Sequence, residues 1–125
     1  MYIAVNPNPL NNNTGDCVIR AISIAEGKEW DDVYLDLMVE GFFSKLMIED
    51  NRLWTKYLHG LGYRRYNIPD TCPDCYLIKD FVRDNPQGVF ILGTGTHTVT
   101  CIDGRLFDTW DSSECVPLFY FKKEG

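Results

Sequence analysis

Apolar positions follow two regimes along this chain, a helical spacing through the first two thirds and short strand-like runs in the last third. Val18, Ala21, Ile22 and Ala25 fall at i, i+3, i+4 and i+7, the signature of one buried helical stripe. That helix is predicted to begin at Asp16 or Cys17, with Asp16 as its N-cap and Gly27 as its stop. Trp30, Val33, Tyr34, Leu37 and Met38 repeat the spacing over residues 30–39, with Asp31 and Asp32 in the first turn, where carboxylates suit the helix dipole. Leu53, Trp54, Tyr57, Leu58 and Leu61 mark a third helix, stopped by Gly60 and Gly62. A shorter fourth covers residues 75–84 and ends before Asn85-Pro86. Aromatic residues at these spacings read as core.

Past Gly88 the period changes. Residues 89–92 form a continuous apolar run of strand length, 97–102 alternate, 105–110 and 116–121 give two further strands, and Asp103-Gly104 is a two-residue hairpin turn. With that turn, every cross-strand pair has residue numbers summing to 207, so His97 faces Trp110 and Val99 faces Asp108. His97, Val99, Asp108 and Trp110 then share one face, with Asp108 the diagonal neighbour of His97. Early helices and late antiparallel strands define an α+β domain, N-terminal helices packed on a C-terminal antiparallel sheet. A chain of 125 residues makes one such domain, residues 1–125.

Composition narrows the choices further. The net charge of −6 and the lack of any basic run longer than a pair such as Arg64-Arg65 disfavour nucleic acid and anionic membranes as partners, since both are bound largely through cations. No apolar run approaches the ~20 residues of a membrane helix, and the first residues lack the pattern of a secretory signal, so a cytoplasmic location is expected. Five cysteines, an odd number, then read as thiols rather than as a disulfide framework.

One of those thiols has a distinctive position. Cys17 opens the first helix within Gly15-Asp16-Cys17, where the helix dipole and a nearby imidazolium would favour the thiolate. His97 is the corresponding base, Asp108 its orienting carboxylate, and Trp110 stands beside both as a shield from water.

These residues resemble the papain-like cysteine peptidases. In that family a cysteine begins the central helix within a Gly-x-Cys motif, a histidine opens a later strand, and an Asn or Asp closes the next, often with a tryptophan two positions on. Gly15-Asp16-Cys17, His97 and Asp108-Thr109-Trp110 match that order and spacing. The chain is also similar to compact bacterial (gut Firmicutes) and phage proteins that share a Gly-Asp-Cys-Val-x-Arg-Ala-Ile-Ser segment. The resemblance implies a papain-like fold and a hydrolase or acyl transferase that cleaves an amide, isopeptide or thioester bond of a peptide or protein substrate, with no cofactor. It also implies an amide side chain upstream of the nucleophile at the oxyanion, a place held here by Asn11 with Asn12 and Asn13 beside it. Asn is shorter than the family's Gln, Val18 replaces an aromatic residue after the nucleophile, and the chain is much smaller than a secreted papain-type enzyme.

Two other readings stand beside this one. The same scaffold could serve as a catalytically silent binding module, a phage or host accessory protein. Cys72-Pro73-Asp74-Cys75 has the spacing of half a zinc site, with Cys101, Cys115, His59 and His97 as the remaining ligand candidates. The segments 42–51 and 66–71 carry no recognisable pocket chemistry.

Overall fold

The computed structural model describes residues 1–125. In chain order the elements are β1 (Tyr2–Ala4), α1 (Cys17–Glu26), α2 (Trp30–Ser44), α3 (Asn51–Gly60), β2 (Tyr63–Asn67), α4 (Ile78–Asp84), β3 (Val89–Gly93), β4 (Thr98–Ile102), β5 (Arg105–Asp108) and β6 (Phe119–Lys123). The strands form one six-stranded sheet in the order β1-β5-β4-β3-β6-β2, antiparallel except for the β1–β5 pair. The α+β class matches the sequence reading, whereas β1 before the helices and β2 between α3 and α4 depart from its early-helix, late-strand order.

The helices lie on both faces of the sheet. Val18, Ile22, Val33, Leu37, Trp54 and Leu58 of α1, α2 and α3 close over Ile91, Phe119 and Phe121 in one buried cluster. Ile78, Phe81 and Val82 of α4 cover Phe90, Leu92, Val99 and Leu106 on the opposite face. Alternation in β3 explains the division, because Ile91 points to one layer while Phe90 and Leu92 point to the other. At ~25 cal/mol per Å² of apolar surface removed from water, these two layers are the main source of stability.

Helix α1 starts at Cys17 and ends at Gly27, whose φ of 64° closes the helix in the left-handed region. Asp16 occupies the N-cap position but makes no capping hydrogen bond, because its carboxylate is turned inward to Trp30 and Arg20. Helix α2 runs five residues past the predicted end, to Ser44. Met38, placed in the buried stripe by its spacing, is 47% exposed there, on the wall of a surface recess it shares with Phe42 and Met47. The fourth helix starts at Ile78 rather than residue 75, where Asp80 accepts the Leu77 N–H at 2.9 Å.

The hairpin register is as read. Thr100 pairs with Phe107, Cys101 with Leu106 and Ile102 with Arg105, and Asp103 and Gly104 both take positive φ, 49° and 76°. Two strands lay outside the sequence reading, β1 and the edge strand β2. The cysteine reading requires a correction: Cys72 and Cys75 form a disulfide, while Cys17, Cys101 and Cys115 are free. The Cys-Pro-Asp-Cys turn brings the two Cα atoms to 4.1 Å, so the bond staples one loop rather than linking distant elements. With both sulfurs spent on each other the zinc alternative loses its donors, and no group of three or more His, Cys, Asp or Glu side chains converges on a metal-sized space. No helix is long and apolar enough to cross a membrane.

Candidate active site

Cys17 reaches the site as the first residue of α1, where unpaired backbone N–H groups and the helix dipole favour negative charge. His97 sits one residue before β4 in a tight turn. The Thr94 N–H donates to the His97 carbonyl at 2.9 Å, and the His97 N–H donates to Thr94 Oγ1 at 3.1 Å. These two bonds fix the backbone that carries the imidazole. Asp108 ends β5, three residues from the Ile102–Arg105 pair at the turn that fixes its register.

The three side chains meet. His97 Nε2 lies 2.6 Å from Asp108 Oδ2, which leaves the other ring nitrogen free toward the recess that His97 shares with Cys17. Asp108 is held from several sides: Ser112 Oγ donates to Oδ2 at 2.7 Å, and the Thr109 N–H donates to Oδ1 at 2.8 Å. Its side chain is 3% exposed and that of His97 is 12% exposed. The Trp110 ring centroid lies 4.8 Å from that of His97, so the indole stands beside the imidazole as expected.

The electrostatics follow from these contacts. Burial opposes ionisation of Cys17, but hydrogen bonds from His97 and from the Thr98 backbone outweigh it and lower the thiol pKa. Burial also opposes a charged His97, yet Asp108 and then Cys17 outweigh it, and the imidazole is pushed up to about 9. Asp108 is lowered despite its burial, through His97 and Ser112. All three shifts favour a thiolate beside an imidazolium. The other free thiols differ: burial pushes Cys101 up to about 11 and also raises Cys115.

The asparagines lie elsewhere. Asn11 and Asn13 line, with Thr109 and Trp110, a recess of about 500 Å³ that does not include Cys17. The reason is local: loop 6–13 is hydrogen-bonded to itself, with Asn6 Nδ2 donating to Asn11 Oδ1 at 3.2 Å and to the Asn12 carbonyl at 3.3 Å. Asn8 anchors that loop to Asp16 at 3.4 Å. Cys17 and His97 open instead into a recess of about 170 Å³ with Glu49, Asn51 and Thr98 on its walls.

The sequence reading missed several supporting residues. Arg20 Nη1 donates to Thr109 Oγ1 at 2.7 Å and lies 3.7 Å from Asp108 Oδ1. Its Nε sits 3.0 Å from Asp16 Oδ1 without hydrogen-bond alignment, an ion pair set by charge alone. Asp16 in turn accepts from Trp30 Nε1 at 2.9 Å. Arg20 therefore ties the residue before Cys17 to Asp108 at the end of β5 and to Thr109 just beyond it. The i,i+4 spacing of Asp16 and Arg20 was the available signal for half of this network. Ser112 had none, since only the folded loop after Asp108 returns it to the carboxylate.

Compared with models of known protein families, with curated proteins and with solved structures, the chain gives no match.

Proposed function

We propose that the protein is a cysteine hydrolase or acyl transferase of papain-like type, acting on an amide, isopeptide or thioester bond of a peptide or protein. The observation that carries this reading is the 2.6 Å contact of His97 Nε2 with Asp108, with the half-buried Cys17 lining the same recess as the imidazole and its thiol pKa lowered by it. Three residues drawn from a helix start, a turn and a strand end stand in the order thiol, imidazole, carboxylate. The family's order of a helix-borne thiol, a later histidine and an acidic residue followed two positions on by tryptophan is kept.

In this mechanism the Cys17 thiolate attacks the substrate carbonyl carbon, forming an Sγ–C bond and an oxyanion. The Cys17 backbone N–H faces that oxygen, a kind of contact commonly worth ~3 kcal/mol. Asn11, the amide donor the family pattern would assign, lines a different recess and takes no part in this step. Collapse of the intermediate breaks the bond to the leaving group, which takes the His97 proton. Water or another nucleophile then gives its proton to His97 and releases the acyl group, restoring the thiolate–imidazolium pair. Asp108 fixes the imidazole tautomer throughout.

Alkylation with iodoacetamide near pH 6 tests the reading. Cys17 is expected to label well ahead of Cys101 and Cys115, and to lose that lead in the His97→Ala variant. Equal, slow labelling of all three free thiols would refute an activated nucleophile and favour a binding module.

A further inference from the structure

Three recesses follow one another along the α2–α3 connection, each sharing lining residues with the next. Glu49 lines both the recess that opens on Cys17 and a second one beside Asp16 and Trp30. Tyr34, Met47 and Ile48 line that second recess and also a third, apolar basin of about 440 Å³ bounded by Met38 and Phe42. The thiol thus stands at one end of a trough whose far end has the size and apolar lining of a ligand site. This stretch, 42–51, is where the sequence offered no recognisable pocket chemistry.

The basin is built into the fold. A Cβ on Gly41 would fall 2.6 Å from the Leu46 carbonyl oxygen, so only glycine lets the loop fold back on α2. The Leu46 N–H donates to the Gly41 carbonyl at 3.1 Å and holds it there. The walls are unusually bare, with Phe42 65% and Met47 71% exposed. Three of the exposed large apolar residues, Met38, Phe42 and Met47, line this one basin.

Charge adds a second requirement. Nearby carboxylates are paired within the chain: Asp36 with Lys28, Glu40 with Lys56 and Asp50 with Arg52. Glu49, at the junction of the trough, has no cationic partner. A fatty acyl chain would need apolar walls from the thiol onward, yet Glu49 and Asn51 stand at the thiol end. Polar contacts near the reacting carbonyl and an apolar basin beyond suit a peptide.

We propose that this trough binds the substrate as an extended peptide, with a cationic residue beside Glu49 and a bulky apolar side chain in the basin of Met38, Phe42 and Met47. The proposal rests on the cysteine-nucleophile reading above and adds the side chains its peptide substrate presents. Extended chain advances ~3.3 Å per residue, so the apolar residue sits a few positions from the scissile carbonyl.

N-acetyl tetrapeptide acyloxymethyl ketones test it, because Cys17 displaces the carboxylate leaving group and retains the peptide through a thioether. Each of the three positions beyond the ketone residue is varied among Leu, Phe, Gly, Asp and Lys. One position is expected to prefer Leu or Phe over Gly by about tenfold, the effect of burying one such side chain, and another to prefer Lys over Asp. Met47→Asp should erase the apolar preference and Glu49→Gln the cationic one, while Leu35→Asp, off the trough, should retain both. Iodoacetamide labelling of every variant measures the thiol by itself. Fast labelling with a flat peptide scan, or preferences that survive Met47→Asp and Glu49→Gln, would overturn the trough and leave the nucleophile standing. Slow labelling of wild-type Cys17 would overturn both. A flat scan with a dimer that Met47→Asp dissociates would assign the face to a second copy of the chain.

Discussion

The His97–Asp108 pair can be isolated from the thiol and measured. In the wild type, the thiolate–imidazolium pair holds one proton, as do a neutral thiol and neutral imidazole, so much of its linkage to stability cancels. Replacing Cys17 with Ala removes that cancellation. His97 in this background is expected to titrate between its ordinary 6.5 and about 9, held up by Asp108 alone. A histidine raised on folding adds stability that is complete below the unfolded value near 6.5 and is lost as pH rises through the folded value. At ~1.4 kcal/mol per pH unit, the interval from 6.5 to about 9 caps the contribution at about 3 kcal/mol, of which Asp108 supplies only part. Adding Asp108→Asn keeps an oxygen for the His97 N–H but removes the charge, so burial acts unopposed and His97 should fall below 6.5. The stability gap between Cys17→Ala and Cys17→Ala/Asp108→Asn should therefore be widest near pH 6 and shrink by pH 9.5. Urea unfolding across that range measures the gap, and NMR titration follows His97 directly, with His59 as the only other histidine to resolve. A His97 that titrates alike with and without Asp108, or a gap that does not depend on pH, would refute the ion pair.

Two further substitutions probe the frame around the site. Gly93→Ala would drive a Cβ into the Phe119 ring, its cross-strand neighbour, and is expected to cost about 1–3 kcal/mol in urea unfolding; a loss under ~0.5 kcal/mol would show that the ring moves freely. Arg20→Met leaves Asp16 buried without its cation and should cost about 3–5 kcal/mol by the same measurement, whereas a loss under ~1 kcal/mol would mean that Trp30 and Asn8 suffice to hold the carboxylate.

What could be read from the chain follows from how local its causes are. Cys17 and Gly27 bracket α1 because both helix ends depend on neighbouring residues. The β4–β5 register was accessible because Asp103-Gly104 fixes it, and with it the approach of His97 to Asp108. Strand β1 was not accessible: three residues before Pro7 show no period, and Tyr2–Ala4 becomes a strand only by pairing in parallel with Leu106–Asp108. Strand β2 escaped for a different reason. It is an edge strand in which Tyr63 alone is buried, so Arg64 and Arg65 read as loop. The α2 extension was masked by Gly41, whose role is close approach to Leu46 rather than helix termination. Asn11 was placed by counting back from the cysteine, a distance that cannot show a loop folded on its own asparagines.

The candidate site is assembled by the interior that stabilises the fold. Cys17 and His97 lie eighty residues apart in the chain and meet because α1 docks across β4, where Thr100 Oγ1 donates to the Ala21 carbonyl at 2.6 Å in a fully buried position. Arg20, one residue earlier on the same helix, reaches Thr109 beyond the end of β5. Successive residues of α1 thus fasten the helix to the strand that follows His97 and to the turn that follows Asp108, while the first residue supplies the sulfur. A rotation of α1 that would swing Cys17 away from the imidazole must break a buried hydrogen bond and an ion pair and uncover Ile22 and Val18 as well. The thiol is therefore oriented by burial along the whole helix, and its placement beside the imidazole persists without a covalent tether.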